Sequence, residues 1–201
     1  MDFKSNLRDY YNKDAEFRNV RPPNDWKITR REQFLELVKS ENKTILLELG
    51  AGSGKDSRFF MDNDLTVTAV DLSPKMVELC RDKGIDAYEM DFYNLSQINK
   101  KFDCVWAMNS LLHVPKSDLP EVLLGIKSVI TDGGLFYMGV YGGKDEENHF
   151  VNDFSDTPRY FAFYTVETLK TILADVFDIV LFEEIPVGND EYHQSIIMRK
   201  K

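Results

Sequence analysis

The residues best equipped for chemistry gather behind a series of short apolar runs. Thr44-Ile-Leu-Leu-Glu-Leu49 leads into Gly50-Ala51-Gly52-Ser53-Gly54-Lys55. Closely spaced glycines let a backbone turn sharply and approach a ligand that side chains would hold away. Carboxylates recur at similar places: Glu48 beside the loop, Asp71 at the end of Leu65–Val70, and Asp91 after Ile85–Met90. A carboxylate such as Asp71 can take both hydroxyls of a ribose in one bidentate contact. His113 follows a fourth run, Phe102–Met108. Neutral imidazole there can accept a proton from a hydroxyl or amine nucleophile, or it can cap a backbone group and orient the loop before Pro115.

The glycine loop admits several ligands, and its spacing separates them. A phosphate-clamping NTPase loop needs G-x-x-x-x-G-K-[ST]; Gly54-Lys55 fits, but Leu49 stands at the first glycine and Asp56 at the magnesium-binding hydroxyl. Asp56 would also repel phosphate. A dinucleotide loop needs G-x-G-x-x-G; Gly50 and Gly52 fit, and Lys55 replaces the third glycine that close helix–strand packing requires.

Strands and helices must alternate to place these groups. Thr44–Leu49, Leu65–Val70, Ile85–Met90, Phe102–Met108 and Gly134–Tyr141 read as strands, the last entered through the turn Asp132-Gly133. Between them lie helical stripes: Met76, Leu79 and Cys80 behind the cap Ser73-Pro74, and Leu119, Val122, Leu123, Ile126 and Ile130. Thr165 caps a third, with Val166, Leu169, Ile172 and Leu173. Phe177–Ile185 and Tyr192–Met198, joined by the turn Pro186–Glu191, predict an antiparallel hairpin. The expectation is an α/β fold: a doubly wound, mostly parallel, seven-stranded sheet with a C-terminal antiparallel hairpin. Two amphipathic segments (Phe3, Leu7, Tyr10, Tyr11; then Phe34, Leu37, Val38) flank the rigid connector Arg21–Asp25, so residues 1–43 are expected to form a helical arm and 44–201 the Rossmann-like domain. Ligands in such sheets bind beyond the carboxyl ends of the strands.

The stretch Leu46–Gly54, with its apolar strand, acidic residue and G-x-G-x-G, resembles the first motif of class I S-adenosylmethionine-dependent methyltransferases. Val70-Asp71-Leu72-Ser73-Pro74-Lys75-Met76 resembles the second motif, and Asp132-Gly133-Gly134-Leu135-Phe136 the turn into the fifth strand. The resemblance extends from about Leu46 to Met198. It implies S-adenosylmethionine as cofactor, with Gly50, Ala51 and Gly52 approaching it and Glu48 neutralising its ammonium and sulfonium region through water. Asp71 then holds the ribose, Asp91 accepts from the adenine amino group, the Phe92 amide faces a ring nitrogen, and Leu72 and Met76 give apolar contact. The strand end at Met108 faces the methionine part. Tyr11 can close over the cofactor with its aromatic face, or the arm can simply pack on the core. Ser110-Leu111-Leu112-His113-Val114-Pro115 looks like the small-molecule branch, and no Asn-Pro-Pro-Tyr or Asp-Pro-Pro-Tyr follows the fourth strand.

The stretch Gly142–Pro158 reads as a long loop, hinged at Gly142-Gly143 and anchored by Arg159–Tyr164. It predicts an acceptor pocket lined by His113, Tyr141, Arg159 and Tyr164, with the arm near Tyr11 opposite. Arg159 suits an anionic acceptor, or pairs with Asp145-Glu146-Glu147, whose ordinary reading is a solvated loop. Trp106 reads as core, His149 and His193 as surface or strand residues, and Arg58 as a helix-surface cation.

Composition bounds the rest. Of 201 residues 43% are hydrophobic and 29% charged, too apolar for a disordered chain. A net charge of −9 opposes nucleic-acid binding and docking on an anionic membrane. No apolar run spans a bilayer, and the N-terminus lacks a signal-peptide core. Cys80 and Cys104 lack any metal spacing and read as buried thiols in a reducing cytoplasm, so no metal is expected. The expected partner is a small-molecule acceptor; oligomeric state is not set by these features. A cofactor-binding module without catalysis, and more remotely a nicotinamide oxidoreductase, are the competing functions.

Overall fold

The structure, a computed structural model, describes residues 3–152, 155–188 and 191–201. The chain begins with two helices, α1 (Phe3–Val20) and α2 (Asp25–Ser40), separated by the proline connector. Strands and helices then alternate: β1 (Ile45–Leu49), α3 (Lys55–Asp62), β2 (Thr66–Asp71), α4 (Pro74–Asp82), β3 (Asp86–Glu89), β4 (Phe102–Met108), α5 (Leu119–Val129) and β5 (Ile130–Gly142). A ribbon of β6 (Glu146–Asn152) and β7 (Ser155–Phe163) follows, then α6 (Val166–Ala174), β8 (Phe177–Gly188) and β9 (Glu191–Lys200).

The main sheet has seven strands in the order β3-β2-β1-β4-β5-β9-β8. The first five run parallel, and β9 inserts antiparallel between β5 and β8. The order reverses between β1 and β4, the switch point at which such sheets open a crevice. This is the architecture that the alternating pattern predicts. Residues 189 and 190 of the expected hairpin turn lie outside the described residues.

Period-two alternation explains why both faces are covered. Leu47, Leu49, Val105, Ala107, Phe136 and Met138 point to the side of α5 and α6, where Leu119, Val122, Leu123, Ile126, Leu169 and Leu173 close the core. Leu46, Cys104, Trp106, Leu135 and Tyr137 point the other way, against Phe34, Leu35 and Val38 of α2 and Phe60 of α3. Trp106 stacks on Tyr137 at 3.9 Å between centroids, so it belongs to the core as its place inside a strand predicts. Helix α4 starts on the predicted cap: the Ser73 hydroxyl accepts from Met76 N–H at 3.2 Å with Pro74 in the first turn.

Two expectations need correction. The stretch Gly142–Pro158 is mostly strand rather than loop, although residues 153 and 154 lie outside the described residues. Its residues pair antiparallel, His149 opposite Tyr160 and Phe150 opposite Arg159. Phe161 and Phe163 stack at 5.9 Å with Phe150 edge-on to both, and these cross-strand rings give the ribbon a face of its own. The acidic run within it stays at the solvent-exposed surface, where it is paired: Asp145 with Lys116, Glu146 with Lys144 at 3.1 Å, and Glu147 accepting from Tyr160 O–H and, at 2.9 Å, from Lys116 N–H. The fifth strand also begins earlier than Gly134. Helix α5 stops at Val129, and β5 starts irregularly at Ile130, with Gly133 at φ +69° and a register break opposite Phe102–Cys104.

Candidate active site

The glycine loop sits at the switch point. Gly50 and Ala51 N–H both donate to Val70 C=O, at 2.8 and 3.2 Å, which ties the loop to the end of β2. Gly50, Gly52 and Gly54 all have positive φ, at +68°, +55° and +77°. Their surroundings differ. A Cβ on Gly50 would run into Ser110, and one on Gly54 would lie 2.6 Å from Ile85 and 2.9 Å from the Cys80 sulfur. A Cβ on Gly52 would meet nothing within 4 Å. Gly50 and Gly54 thus serve packing, while Gly52 borders an open cradle.

Asp71 closes one side of that cradle. Its Oδ2 accepts from Gly52 N–H and its Oδ1 from Ser73 N–H, both at 2.8 Å. A carboxylate offers about four lone-pair sites, so about two remain for a ligand. Burial pushes the Asp71 carboxyl up to about 6, against the opposing pull of the two backbone donors and Arg18. Glu48 is buried below the loop, its carboxylate taking the Ser57 hydroxyl. Burial, and then the neighbouring Asp56, raise it well above the ordinary carboxylate range. A cation arriving near Glu48 would favour its ionised form.

Asp91 caps the 3-10 turn Phe92–Gln97, accepting from Tyr93 N–H at 3.1 Å and Asn94 Nδ2 at 2.5 Å, and from Lys4 Nζ at 2.8 Å. Burial raises its pKa, but the Lys4 and Asn94 contacts prevail and hold it below the usual range. The Phe92 ring lies 3.5 Å from where a Gly50 Cβ would stand, so the third-strand residues adjoin the loop. Leu72 is half-buried and Met76 fully buried. Met108 packs against the α2-side cluster.

Helix α1 crosses the carboxyl edge and is tied to the element behind nearly every motif. Beyond Lys4–Asp91, Arg8 pairs with Glu89 at 2.6 Å, and Asn12 Oδ1 accepts from Ser73 Oγ and Lys75 N–H at 2.7 and 3.2 Å. Lys55 Nζ holds the Arg18 and Arg21 carbonyls, and Lys83 Nζ donates to Asn19 Oδ1 at 2.7 Å. Lys4, Arg8, Tyr11 and Asn12 fall at helical spacing, on a polar stripe facing inward. The sequence reading followed the apolar stripe and missed this one; its signal was that same spacing.

The predicted acceptor residues fall into separate groups. On the ribbon side, His113 Nε2 accepts from Tyr11 O–H and its Nδ1–H donates to Tyr160 C=O, each at 2.6 Å. Burial pushes His113 down to about 3, so the ring is neutral and both nitrogens are engaged. Burial also raises the Tyr11 phenol. Arg159 lies over the Tyr10 ring at 4.3 Å, and the acidic run has other partners. Tyr164 is fully buried beneath this group, with Lys116 Nζ 5.1 Å from its ring centroid. Tyr141 borders the core cluster that holds Tyr164 and also meets His193 edge-on at 5.7 Å. His193, read as a surface or strand residue, is on β9 but has no exposure. It bonds Asn109 at the end of β4 at 2.9 Å, and Trp26 of α2 covers its ring at 4.3 Å. Neither Asn109 nor Trp26 was singled out by sequence. Among the described residues, no group of three or more His, Cys, Asp or Glu is arranged to hold a metal, and no helix is long and apolar enough to cross a membrane.

A glycine loop, a buried carboxylate at the end of the second strand and a C-terminal antiparallel hairpin on a parallel sheet together make the fold that class I methyltransferases share. Residues 46–134 match the family described as a methyltransferase domain. Among curated proteins, the 27-O-demethylrifamycin SV methyltransferase of Amycolatopsis mediterranei is 33% identical over 103 residues, 47% of this chain and 37% of that one. The match thus spans little more than a third of that relative. The solved structure of the Burkholderia thailandensis 1,6-didemethyltoxoflavin-N1-methyltransferase, with bound 1,6-didemethyltoxoflavin and S-adenosylhomocysteine, superposes with a TM-score of 0.75 at 19% identity, covering 99% of this chain and 89% of that one. Magnesium protoporphyrin IX methyltransferase of Synechocystis PCC 6803, with bound S-adenosylmethionine, gives 0.74 at 16% identity, covering 100% and 98%. At such identities the structures establish the shared fold.

Proposed function

We propose that this chain is an S-adenosylmethionine-dependent methyltransferase acting on a small-molecule acceptor. The observation that carries the reading is the Gly52–Asp71 pair: a carboxylate fixed by two backbone N–H groups, with lone pairs to spare, beside a glycine whose missing side chain leaves room. Ser110 Oγ, buried without a partner next to Gly50, is a further polar group suited to a ligand in the cradle. The cofactor-binding set is Glu48, Gly50, Ala51, Gly52, Asp71, Leu72, Met76, Asp91, Phe92, Met108 and Tyr11. Of these, Asp91 exchanges its Lys4 contact for the adenine amino group, or shares it. When bound, the cofactor supplies a sulfonium-linked methyl group, so a positioned O, N, S or C nucleophile needs no metal.

Residues 1–43 act as the arm that covers this site, and 44–201 as the domain that builds it. His113 serves chiefly to hold Tyr11 of the arm against the ribbon, since its nitrogens are already engaged; Arg159 remains available to an anionic acceptor. The small-molecule assignment draws on the substrates for which these similar proteins are named. The net charge of −9 supports a partner other than nucleic acid, and two buried free thiols support a reducing cytoplasmic setting. The test is calorimetry with S-adenosylhomocysteine, NAD and ATP, followed by turnover of methyl-labelled cofactor against an acceptor panel. Binding of S-adenosylhomocysteine alone, with label transfer, is the expected result. Binding without transfer to any acceptor would favour a non-catalytic module.

A further inference from the structure

The group around His193 is the least conventional part of the molecule and lies beside, but outside, the cofactor-binding set proposed above. Asn109 takes φ +55° directly after β4, in the left-handed region that Asn enters more readily than other residues with a Cβ. Its backbone is held by Gly139 C=O at 2.8 Å, which leaves its side chain to meet His193. Gly139 makes the room: a Cβ there would lie 2.8 Å from His193 Cε1 and 3.0 Å from the Met108 sulfur. The Asn109 carbonyl oxygen is an acceptor, so His193 Nε2 carries the proton and Nδ1 the lone pair. That Nδ1 is buried and has no hydrogen-bond partner. A buried acceptor left unpaired forfeits the hydrogen bonds it would make with water and calls for an explanation.

Resting on the methyltransferase reading, we infer that His193 Nδ1 is the acceptor-subsite group that seats a hydroxyl borne on an aromatic ring, with Asn109 fixing the imidazole and Trp26 occupying the ring's place when no acceptor is bound. The position is right for this role: the carboxyl ends of β4 and β5, on the α2 side of the switch point. The surroundings select an aromatic. Trp26, half-buried at the start of α2, packs on the imidazole from one side, and Tyr141 meets it edge-on. The polarity selects a hydroxyl. Burial, then Lys27 and Arg30 of α2, push His193 down to about 3, so Nδ1 stays unprotonated and can only accept. Those cations also favour an oxygen that becomes more negative. His113 offers no comparable group, since both its nitrogens are satisfied. An acceptor without a donor hydrogen leaves Nδ1 unpaired and is discriminated against.

The test uses the full chain, labelled with ¹⁵N at its three histidines and saturated with S-adenosylhomocysteine, with phenol and its methyl ether anisole as probes. His193 is assigned by the resonance lost in His193→Phe. The expected spectrum shows His193 protonated at Nε2 and bare at Nδ1. Phenol should shift Nδ1, anisole should not, and neither should move His113. In His193→Phe, phenol should bind at least tenfold more weakly while S-adenosylhomocysteine binds within twofold of wild type. A protonated Nδ1 at neutral pH, or equal responses to phenol and anisole with S-adenosylhomocysteine bound, overturns the inference. Failure of S-adenosylhomocysteine itself to bind overturns the underlying methyltransferase reading, and the inference with it.

Discussion

Asp71 makes a two-sided pH prediction. In the folded chain its carboxyl is raised from 3.8 to about 6, and the largest cause is burial. Between these values the native state holds a proton that the unfolded chain has released, so stability falls as pH rises through that window. The full contribution is present below about pH 4 and is lost above about pH 6. A shift of about two units is worth roughly 3 kcal/mol at 1.36 kcal/mol per unit. Asp71 is only 9% exposed, so solvent screening removes little of this. In a domain of this size, about 3 kcal/mol moves Tm by roughly 6–12 °C. Other carboxylates contribute to the pH dependence, so the readout is the difference between wild type and Asp71→Asn. Asn cannot ionise, and its amide N–H₂ faces a backbone donor, which adds a penalty of about 1–3 kcal/mol that does not vary with pH. Thermal unfolding of the ligand-free proteins at intervals from pH 4 to 7 should therefore show the variant gaining on wild type by most of those degrees. Cofactor affinity should run the opposite way. Ribose hydroxyls donate to the ionised carboxylate, so wild-type affinity for S-adenosylhomocysteine should fall about tenfold per unit below pH 6, while the variant binds weakly with little slope. Parallel Tm curves for the two proteins would refute the buried-carboxylate argument. Normal, pH-independent binding by the variant would remove Asp71 from the ribose site.

Gly52→Val should fold but fail to bind S-adenosylhomocysteine: the side chain meets no neighbour, the positive φ costs about 1–2 kcal/mol, and the cradle fills. Circular dichroism together with calorimetry checks this, and a folded variant with wild-type affinity would move the cofactor away from the loop. Tyr11→Phe should lower stability by about 1–3 kcal/mol, because His113 Nε2 loses its donor in a buried place; denaturant unfolding measures the loss, and an unchanged midpoint would show that the arm is not anchored there.

The sequence by itself determined the frame. Period-two burial on β1, β4 and β5 and helical stripes on α4, α5 and α6 are local patterns, and local patterns specify element type and facing. The motif carboxylates were legible for the same reason: Gly52 and Asp71 each sit at the end of a strand, and a parallel sheet brings strand ends to one edge whatever the loops do. Contacts between distant segments required the tertiary structure. Glu146–Asn152 is polar in composition, and it becomes a strand only because Ser155–Phe163 supplies a hydrogen-bonding partner and a stack of rings. His193 looked like an ordinary strand residue, since nothing near it in sequence indicates that Asn109, Gly139 and Trp26 would close around it. Arg159 and Tyr141 belong to the same expected pocket yet meet different rings, Arg159 that of Tyr10 on the arm and Tyr141 that of His193 on β9. Likewise, the charged side chains of α1 matched any solvated helix until the fold set Asp91, Glu89 and Ser73 beneath them. Spacing along one element fixes which residues share a face; which face meets which ligand is fixed by long-range packing, whose entropic cost is met by the whole core rather than by any local signal.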